Sequence, residues 1–277
     1  MTDAPHLVLY HDNCPDGFTA AWAAWRAFGD QRAQYVAVNY GQSPPLHLAM
    51  RRDVYLVDFS YPRTALDQLA DVAASVTIFD HHETARADLK DWSRGRVVFD
   101  MERSGAGITW DELHFWLRPK LISYVEDRDL WRWALPHSRA VSEWLFSIPR
   151  TFRDWDDATY ELERDLEGVV KQGEGFLRLK RERVAKVCEN VRWVTLGGQR
   201  IPVVNTAWDF SEIGEYLAER LDAPCAGYYF DRADRRQWGF RRRAGADFNV
   251  AALCQRYGGG GHPGAAGFTS DLGWWPE

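Results

Sequence analysis

At 277 residues, with 45% hydrophobic and 14% aromatic residues, the chain can fill one large core or two ordinary ones and is not of the disordered class. The 40 Asp and Glu outnumber 34 Lys and Arg to leave a net charge of -6, which argues against a surface that grips long nucleic acid mainly by neutralising phosphates. An anionic substrate must therefore be met locally, as a cation-loaded cleft would do.

The first third alternates short apolar runs with helical periodicity. Strands are predicted at residues 6–10, 35–39, 54–59, 76–79 and 97–99, with a helix over 17–28 and another from Pro62 through Ala73. Runs this short and this apolar suit a buried parallel sheet built from βαβ units. Two more helices are predicted at 106–117 and 119–126, and a long amphipathic one over 156–191, with a break near Gly173 and Gly175. WVTLGGQRIPVVN then reads as strand, Gly-Gly turn, strand. A helix at 211–221, paired strands around Tyr228 and Phe240, and a helix at 249–257 running into glycines complete the reading. The predicted class is α/β: a parallel-sheet domain over 1–135, a helical connector over 136–191, and a smaller α/β domain with a mixed sheet over 192–277.

Cys14, Cys188, Cys225 and Cys254 stand far apart without a C-x-x-C pair and read as reduced thiols. No run approaches the ~18 apolar residues of a membrane span, so a cytoplasmic chain with no membrane partner is expected. The 14 Trp are assigned mainly to packing, with a few left as candidate base-stacking platforms.

The chemistry-bearing residues lie where the predicted strands end. The first strand runs into His11, Asp12, Asn13, Cys14, Pro15, Asp16 and Gly17, the third ends in Asp58, and the fourth in Asp80, His81 and His82. The carboxyl ends of parallel strands form the ligand crevice of an open α/β sheet, so these groups should converge. One His or Asp at a strand end is ordinarily a cap or a solvated surface group; three such clusters in order are not. Carboxylates so close repel one another unless cations sit between them, and mixed Asp oxygen and His nitrogen donors suit Mn²⁺ better than Mg²⁺ or Ca²⁺. In SYVEDRDLW, Asp127 or Asp129 could complete the second ion's shell, the plainer reading being a solvated helix end.

An Asp-His-His triplet after a strand, preceded by His-and-Asp and lone-Asp motifs, resembles the DHH phosphoesterase superfamily. The stretch Tyr257-Gly258-Gly259-Gly260-Gly261-His262-Pro263-Gly264-Ala265-Ala266-Gly267-Phe268 is similar to the glycine-rich signature of the DHH-associated C-terminal domain, and Phe240-Arg241 to the strand arginine before it. The matches span residues 6 to 268. Members usually carry a second Asp where this chain has Cys14, which leaves three alternatives: Asp12 replaces it as ligand, Cys14 binds as thiolate, or the first site is weak.

The resemblance implies a hydrolase in which Asp58 bridges two Mn²⁺ ions (Mg²⁺ or Co²⁺ being alternatives), with His11 and Asp12 on the first and Asp16, His81 and Asp127 on the second. A bridging water would attack phosphorus, with His82 and Asp80 orienting ligands or assisting proton transfer. Arg241, Gly259, Gly260, Gly261 and His262 would hold a neighbouring phosphate across an inter-domain cleft, glycine amides being able to approach an anion closely. A flexible polyglycine linker is the plainer reading of that run. Between 231 and 243 six arginines face two aspartates, a local anion site on an acidic chain. The implied substrates are short oligonucleotides, linear dinucleotides or small nucleotide phosphoesters. A polyphosphate or pyrophosphate hydrolase and a non-catalytic nucleotide sensor are the rivals, and a homodimer is allowed.

Overall fold

The computed structural model describes residues 4–12 and 14–276. The chain divides into two compact units, Met1–Leu177 and Arg178–Glu277.

The first unit contains β1 (His6–His11), α1 (Pro15–Arg32), β2 (Ala33–Val38), α2 (Leu46–Ala49), β3 (Asp53–Val57), α3 (Arg63–Val72), β4 (Ser75–Asp80), α4 (Glu83–Asp88) and β5 (Arg96–Phe99). It continues with α5 (Gly105–Leu113), α6 (Lys120–Asp129), α7 (Ser138–Ser147), α8 (Phe152–Arg164) and the first part of α9 (Leu166–Val187). All five strands are parallel in the order β2-β1-β3-β4-β5. Alternate side chains enter opposite cores. Val8, Val57 and Phe79 pack with Trp22, Ile108 and Trp110 on one face, and Leu7, Leu9, Leu56 and Ile78 with Leu66 and Leu69 on the other. Because β2 and β3 lie on opposite sides of β1, the direction of winding reverses there, and the switch point falls between the ends of β1 and β3. That places His11 and Asp58 where a crevice opens.

Residues 136–177 are not a separate connector. Val141, Trp144, Leu145, Trp155, Leu162 and Val169 belong to the same buried cluster as Trp22 and Trp110. Their polar handles are satisfied there too, Trp155 Nε1 donating to Thr19 Oγ1 at 3.1 Å and Trp22 Nε1 to Asp156 Oδ1 at 3.0 Å. The predicted long helix is two helices. The break falls at Asp165, whose carboxylate caps α9 by accepting from Gly168 N–H at 2.9 Å, and α9 then runs unbroken through Gly173 and Gly175. Helix α5 stops at Leu113 rather than 117, because His114 leaves to stack on Trp110 at 4.0 Å, with its Nε2 2.9 Å from the Ala23 carbonyl oxygen.

The second unit begins in the last turns of α9 and holds β6 (Arg192–Leu196), β7 (Gln199–Asn205), α10 (Phe210–Arg220), β8 (Cys225–Asp231), β9 (Arg235–Arg242), α11 (Val250–Gln255), β10 (Gly260–His262) and β11 (Ala265–Asp271). Its sheet runs β10-β11-β9-β8-β7-β6 and is mixed, β7 and β8 being parallel and the other pairs antiparallel. Gly197 and Gly198, at φ 60 and 81, make the predicted hairpin turn, which needs positive φ at both positions. Among the described residues no helix is long and apolar enough to cross a membrane.

Two glycines in α9 test the packing on α7. A Cβ on Gly173 would stand 1.9 Å from the Ala140 carbonyl oxygen, whereas one on Gly175 would meet nothing within 4 Å. Gly175→Ala should stabilise the chain by ~0.4–1 kcal/mol through reduced unfolded-state entropy. Gly173→Ala should destabilise it, with the two urea midpoints moving in opposite directions.

Candidate metal centre

Asp58 stands just past the end of β3 in a left-handed conformation (φ 54), its N–H still held by the Phe79 carbonyl at 2.9 Å. It is 1% exposed, and neither carboxylate oxygen has a hydrogen-bond partner. On one side His11 Nδ1 lies 3.6 Å from Asp58 Oδ2, and on the other His81 Nε2 lies 3.2 Å from Oδ1. His81 Nε2 is also 3.9 Å from Asp16 Oδ2 and 3.5 Å from Asp129 Oδ2.

The donors fall into three overlapping groups, each with its ligand atoms within 4.8 Å of one another: His11, Cys14 and Asp58; Asp58, His81 and His82; and Asp16, His81 and Asp129. Asp58 is common to the first two and His81 to the last two. Asp58 therefore stands between two candidate donor groups, and its buried oxygens face only the imidazoles of His11 and His81.

Local structure fixes each ligand. Asp16, in the first turn of α1, is 1% exposed and accepts from the N–H groups of Gly105 at 2.6 Å and Ala106 at 3.1 Å, so the free amides of α5 orient it. Asp80 Oδ1 accepts from the backbone N–H of His81 at 2.7 Å and contacts His82 Nδ1 at 2.6 Å. Asp80 thus holds both histidines from behind and directs His82 Nε2 away from itself.

The crowding shows in the protonation equilibria. Burial, followed by the charges of Asp58 and Asp129, pushes Asp16 well above the usual carboxylate range. Burial also raises Asp129, and the neighbouring Asp58 adds to it. For Asp58 burial works upward, but contacts with His11 and His81 outweigh it and hold the group low. Burial would lower His81, yet Asp58, Asp129 and Asp16 together push it up to about 10. Without cations, protons and an imidazolium carry the balance that metal ions would supply.

His11, Asp16, Asp58, His81, His82 and Asp80 come together as the strand ends suggested. Two sequence assignments move. Asp127 gives its carboxylate to the backbone amides of Ala134 at 2.9 Å and Leu135 at 3.2 Å, fixing the turn after α6, and Asp129 reaches His81 instead. Residues two apart on a helix point some 200° from each other, so only one of the pair can face the site. Asp12 accepts from Asn39 Nδ2 at 3.2 Å, while Cys14 stands with His11 and Asp58. The α5 amides and Tyr40, whose ring lies 5.2 Å from that of His11 and 6.1 Å from that of His82, escaped sequence reasoning. The Ser104-Gly105-Ala106-Gly107 cap was the available signal for the amides, Ser104 Oγ accepting from Gly107 N–H at 3.2 Å.

In the second unit Arg241 packs beneath α10, where a Cβ on Gly214 would come within 2.6 Å of Arg241 Cβ. Its Nε donates to Ser211 Oγ at 3.0 Å and its Nη1 to the Phe240 carbonyl at 2.9 Å. The glycine run is not an open loop. Gly258 and Gly259 donate to the carbonyls of Gln255 and Cys254, closing α11, and Gly260–His262 form the edge strand β10. A Cβ at Gly259 would lie 2.1 Å from the Gly267 carbonyl oxygen, so close strand approach accounts for that glycine.

No family model matches the chain. Uncharacterized protein R106 of Acanthamoeba polyphaga mimivirus is 25% identical over 290 residues, covering 96% of this chain and 68% of that protein. An exopolyphosphatase-related protein from Bacteroides fragilis matches with a TM-score of 0.54 at 12% identity, over 99% of this chain and 88% of that one. The exonuclease RecJ bound to manganese matches with a TM-score of 0.51 at 16% identity, over 96% of this chain and 86% of that one. The chain thus shares its fold with these two proteins.

Asp127 and Asp129 have separable roles that metal analysis will distinguish. Asp129→Ala should lower the bound-metal stoichiometry while leaving the fold intact. Asp127→Ala should keep the metals and cost ~1–3 kcal/mol in urea unfolding, because buried backbone amides lose their acceptor.

Proposed function

We propose that this chain is a metal-dependent phosphoesterase that hydrolyses short oligonucleotides, linear dinucleotides or small nucleotide phosphoesters. The observation that carries the reading is the buried, unpartnered carboxylate of Asp58 between two sets of donors. His11 and Asp58, with a third donor, would hold one divalent ion; Asp16, Asp58, His81 and Asp129 would hold the other, whose oxygen and imidazole donors suit Mn²⁺. Bound divalent ions would supply a water of lowered pKa and polarise the phosphoryl oxygens.

The chain's own groups do the rest. Asp16 is aimed by the α5 amides, and Asp80 fixes the backbone at His81. His82, oriented through Nδ1 by Asp80, would orient ligands or assist proton transfer. Arg241, Gly259, Gly260, Gly261 and His262 in the second unit would bind a phosphate or nucleoside group of the substrate. Arg241 supports this best, because its guanidinium is already ordered by Ser211 and Phe240.

A screen of dinucleotides, longer oligonucleotides, adenosine 3′,5′-bisphosphate and polyphosphate with Mn²⁺, Mg²⁺ or Co²⁺ tests the reading. Nucleoside monophosphate release from dinucleotides is expected. Orthophosphate release from polyphosphate alone would favour the polyphosphatase, and binding without turnover in any metal would favour a sensor. Asp58→Ala should abolish turnover, and substantial activity at saturating Mn²⁺ would refute its bridging role.

Arg241→Ala should lower kcat/KM for a dinucleotide by about 10–150-fold, the equivalent of ~1.5–3 kcal/mol for one charge-assisted contact. Activity on p-nitrophenyl phosphate and metal stoichiometry should change much less. Equal losses on both substrates would remove Arg241 from substrate binding.

A further inference from the structure

We propose that Cys14 is a thiolate ligand of the first metal position, and that this position therefore takes a thiophilic divalent ion of the zinc class in preference to Mn²⁺ or Mg²⁺. The proposal rests on the metal-dependent reading above and changes what that reading requires of one of its two ions.

Three donors of different kinds meet at this position: Cys14 Sγ, a His11 ring nitrogen and an Asp58 carboxylate oxygen lie within 4.8 Å of one another. His11 Nδ1 and the Asp58 oxygens are buried and make no regular hydrogen bond, Asp58 Oδ2 facing His11 Nδ1 at 3.6 Å and Oδ1 facing His81 Nε2 at 3.2 Å. Zinc-class bonds of about 2.0–2.3 Å to N, O and S span most of such separations, so small side-chain movements would close the shell.

The alternative oxygen donor is turned elsewhere. β1 ends at His11, and Asp12 still follows the sheet edge, its N–H donating to the Val38 carbonyl at 2.9 Å and its carboxylate accepting from Asn39 Nδ2 at 3.2 Å. Cys14 takes the extended conformation immediately before α1, with Pro15 as the first helical residue. Burial, followed by the charges of Asp58, Asp129 and Asp16, holds the thiol well above its ordinary range, so a cation at this position is what would draw off its proton.

Packing does not explain the cysteine. Cys225 and Cys254 lie in one apolar cluster of the second unit and Cys188 in another, as small hydrophobic residues do. Cys14 is half-buried and belongs to none of the four apolar clusters found among the described residues.

Sulfur changes the selectivity of the position. Mg²⁺ strongly prefers oxygen donors in a near-octahedral shell, and Mn²⁺ sites are built mainly from oxygen, whereas Zn²⁺ and Co²⁺ accept mixed S, N and O sets. The thiol would release its proton to solvent as the metal–sulfur bond forms, so loading this position would liberate one proton and become more favourable as pH rises.

Cobalt titration of the metal-free 277-residue chain tests the assignment without relying on turnover. The wild-type chain should develop a near-ultraviolet sulfur-to-cobalt charge-transfer band that saturates with one equivalent. Cys14→Ser and Cys14→Asp should lack the band yet still bind a second ion, and Cys188→Ser should keep it. Zn²⁺ should abolish the band at equimolar concentration, while a tenfold excess of Mn²⁺ should not. Should Cys14→Ser fail to fold by circular dichroism, Zn²⁺ protection of Cys14 from iodoacetamide, read by peptide mass spectrometry on the wild-type chain, replaces that arm. Two cobalt ions bound without the band, a band that survives Cys14→Ser, absence of zinc protection, or displacement by Mn²⁺ as readily as by Zn²⁺ would each overturn the proposal and leave the phosphoesterase reading standing. Failure of the wild-type chain to bind any ion would overturn both.

Discussion

A carboxylate buried with no backbone or guanidinium donor is the constraint on which the first unit turns. Asp58 carries its charge at 1% exposure against the imidazoles of His81 at 3.2 Å and His11 at 3.6 Å alone, and burying such a charge without compensation would cost several kcal/mol. The surroundings are shaped to accept it. A Cβ on Gly105 would lie 2.4 Å from Asp58 Cβ, and one on Gly17 would lie 2.4 Å from the His11 carbonyl oxygen and 3.1 Å from Asp58 Oδ2. Both helix starts therefore crowd against the end of β3. Neither glycine has a positive φ; each allows a helix start to approach His11 and Asp58 more closely than a Cβ would permit.

Most of this centre was legible because a parallel sheet has a simple grammar. Each strand is a short apolar run, each ligand-bearing residue follows the run, and the topology gathers carboxyl ends along one edge. His11, Asp58 and Asp80-His81-His82 follow from that alone. What remained hidden depends on rotation about a helix or on where a strand stops. Val125, Glu126 and Asp127 are all buried, so local apolarity around 127 was a fair guide to burial and a poor one to direction. Asp127 is buried facing its own following turn, and Asp129, with its side chain 25% exposed, faces His81. Asp12 and Cys14 differ in the same way, because the last strand residue determines which neighbour the sheet edge keeps.

The glycine run shows the converse, a composition signal with two physical meanings. Four consecutive glycines permit an anion cradle, and they equally permit a backbone to pack where no Cβ fits. At Gly259 and Gly261 the second meaning is visible, since added Cβ atoms would stand 2.1 Å from the Gly267 carbonyl oxygen and 2.6 Å from that of Ala265. The two uses are compatible in a strand that has one paired side, and β10 is an edge strand with β11 as its neighbour in the sheet. Sequence periodicity could not find β10, because three residues of Gly-Gly-His carry no alternation of apolar and polar side chains.

The support of the centre extends well behind its ligands. Asp16 depends on the first amides of α5, and that helix start is itself anchored by Glu126, whose Oε2 accepts from Ser104 N–H at 3.0 Å. Arg118 then donates to Glu126 Oε1 at 2.8 Å and to Asp111 Oδ1 at 2.9 Å, and Asp111 Oδ2 accepts from Arg103 at 2.8 Å. A buried carboxylate thus serves the structure at Glu126 because a backbone donor and a guanidinium satisfy it, whereas Asp58, equally buried, is satisfied by neither. Burial alone does not distinguish a functional acid from a structural one. The accounting of donors separates Glu126 and Asp127, whose oxygens are held by backbone amides and arginine, from Asp58, whose oxygens face only the imidazoles of His81 and His11.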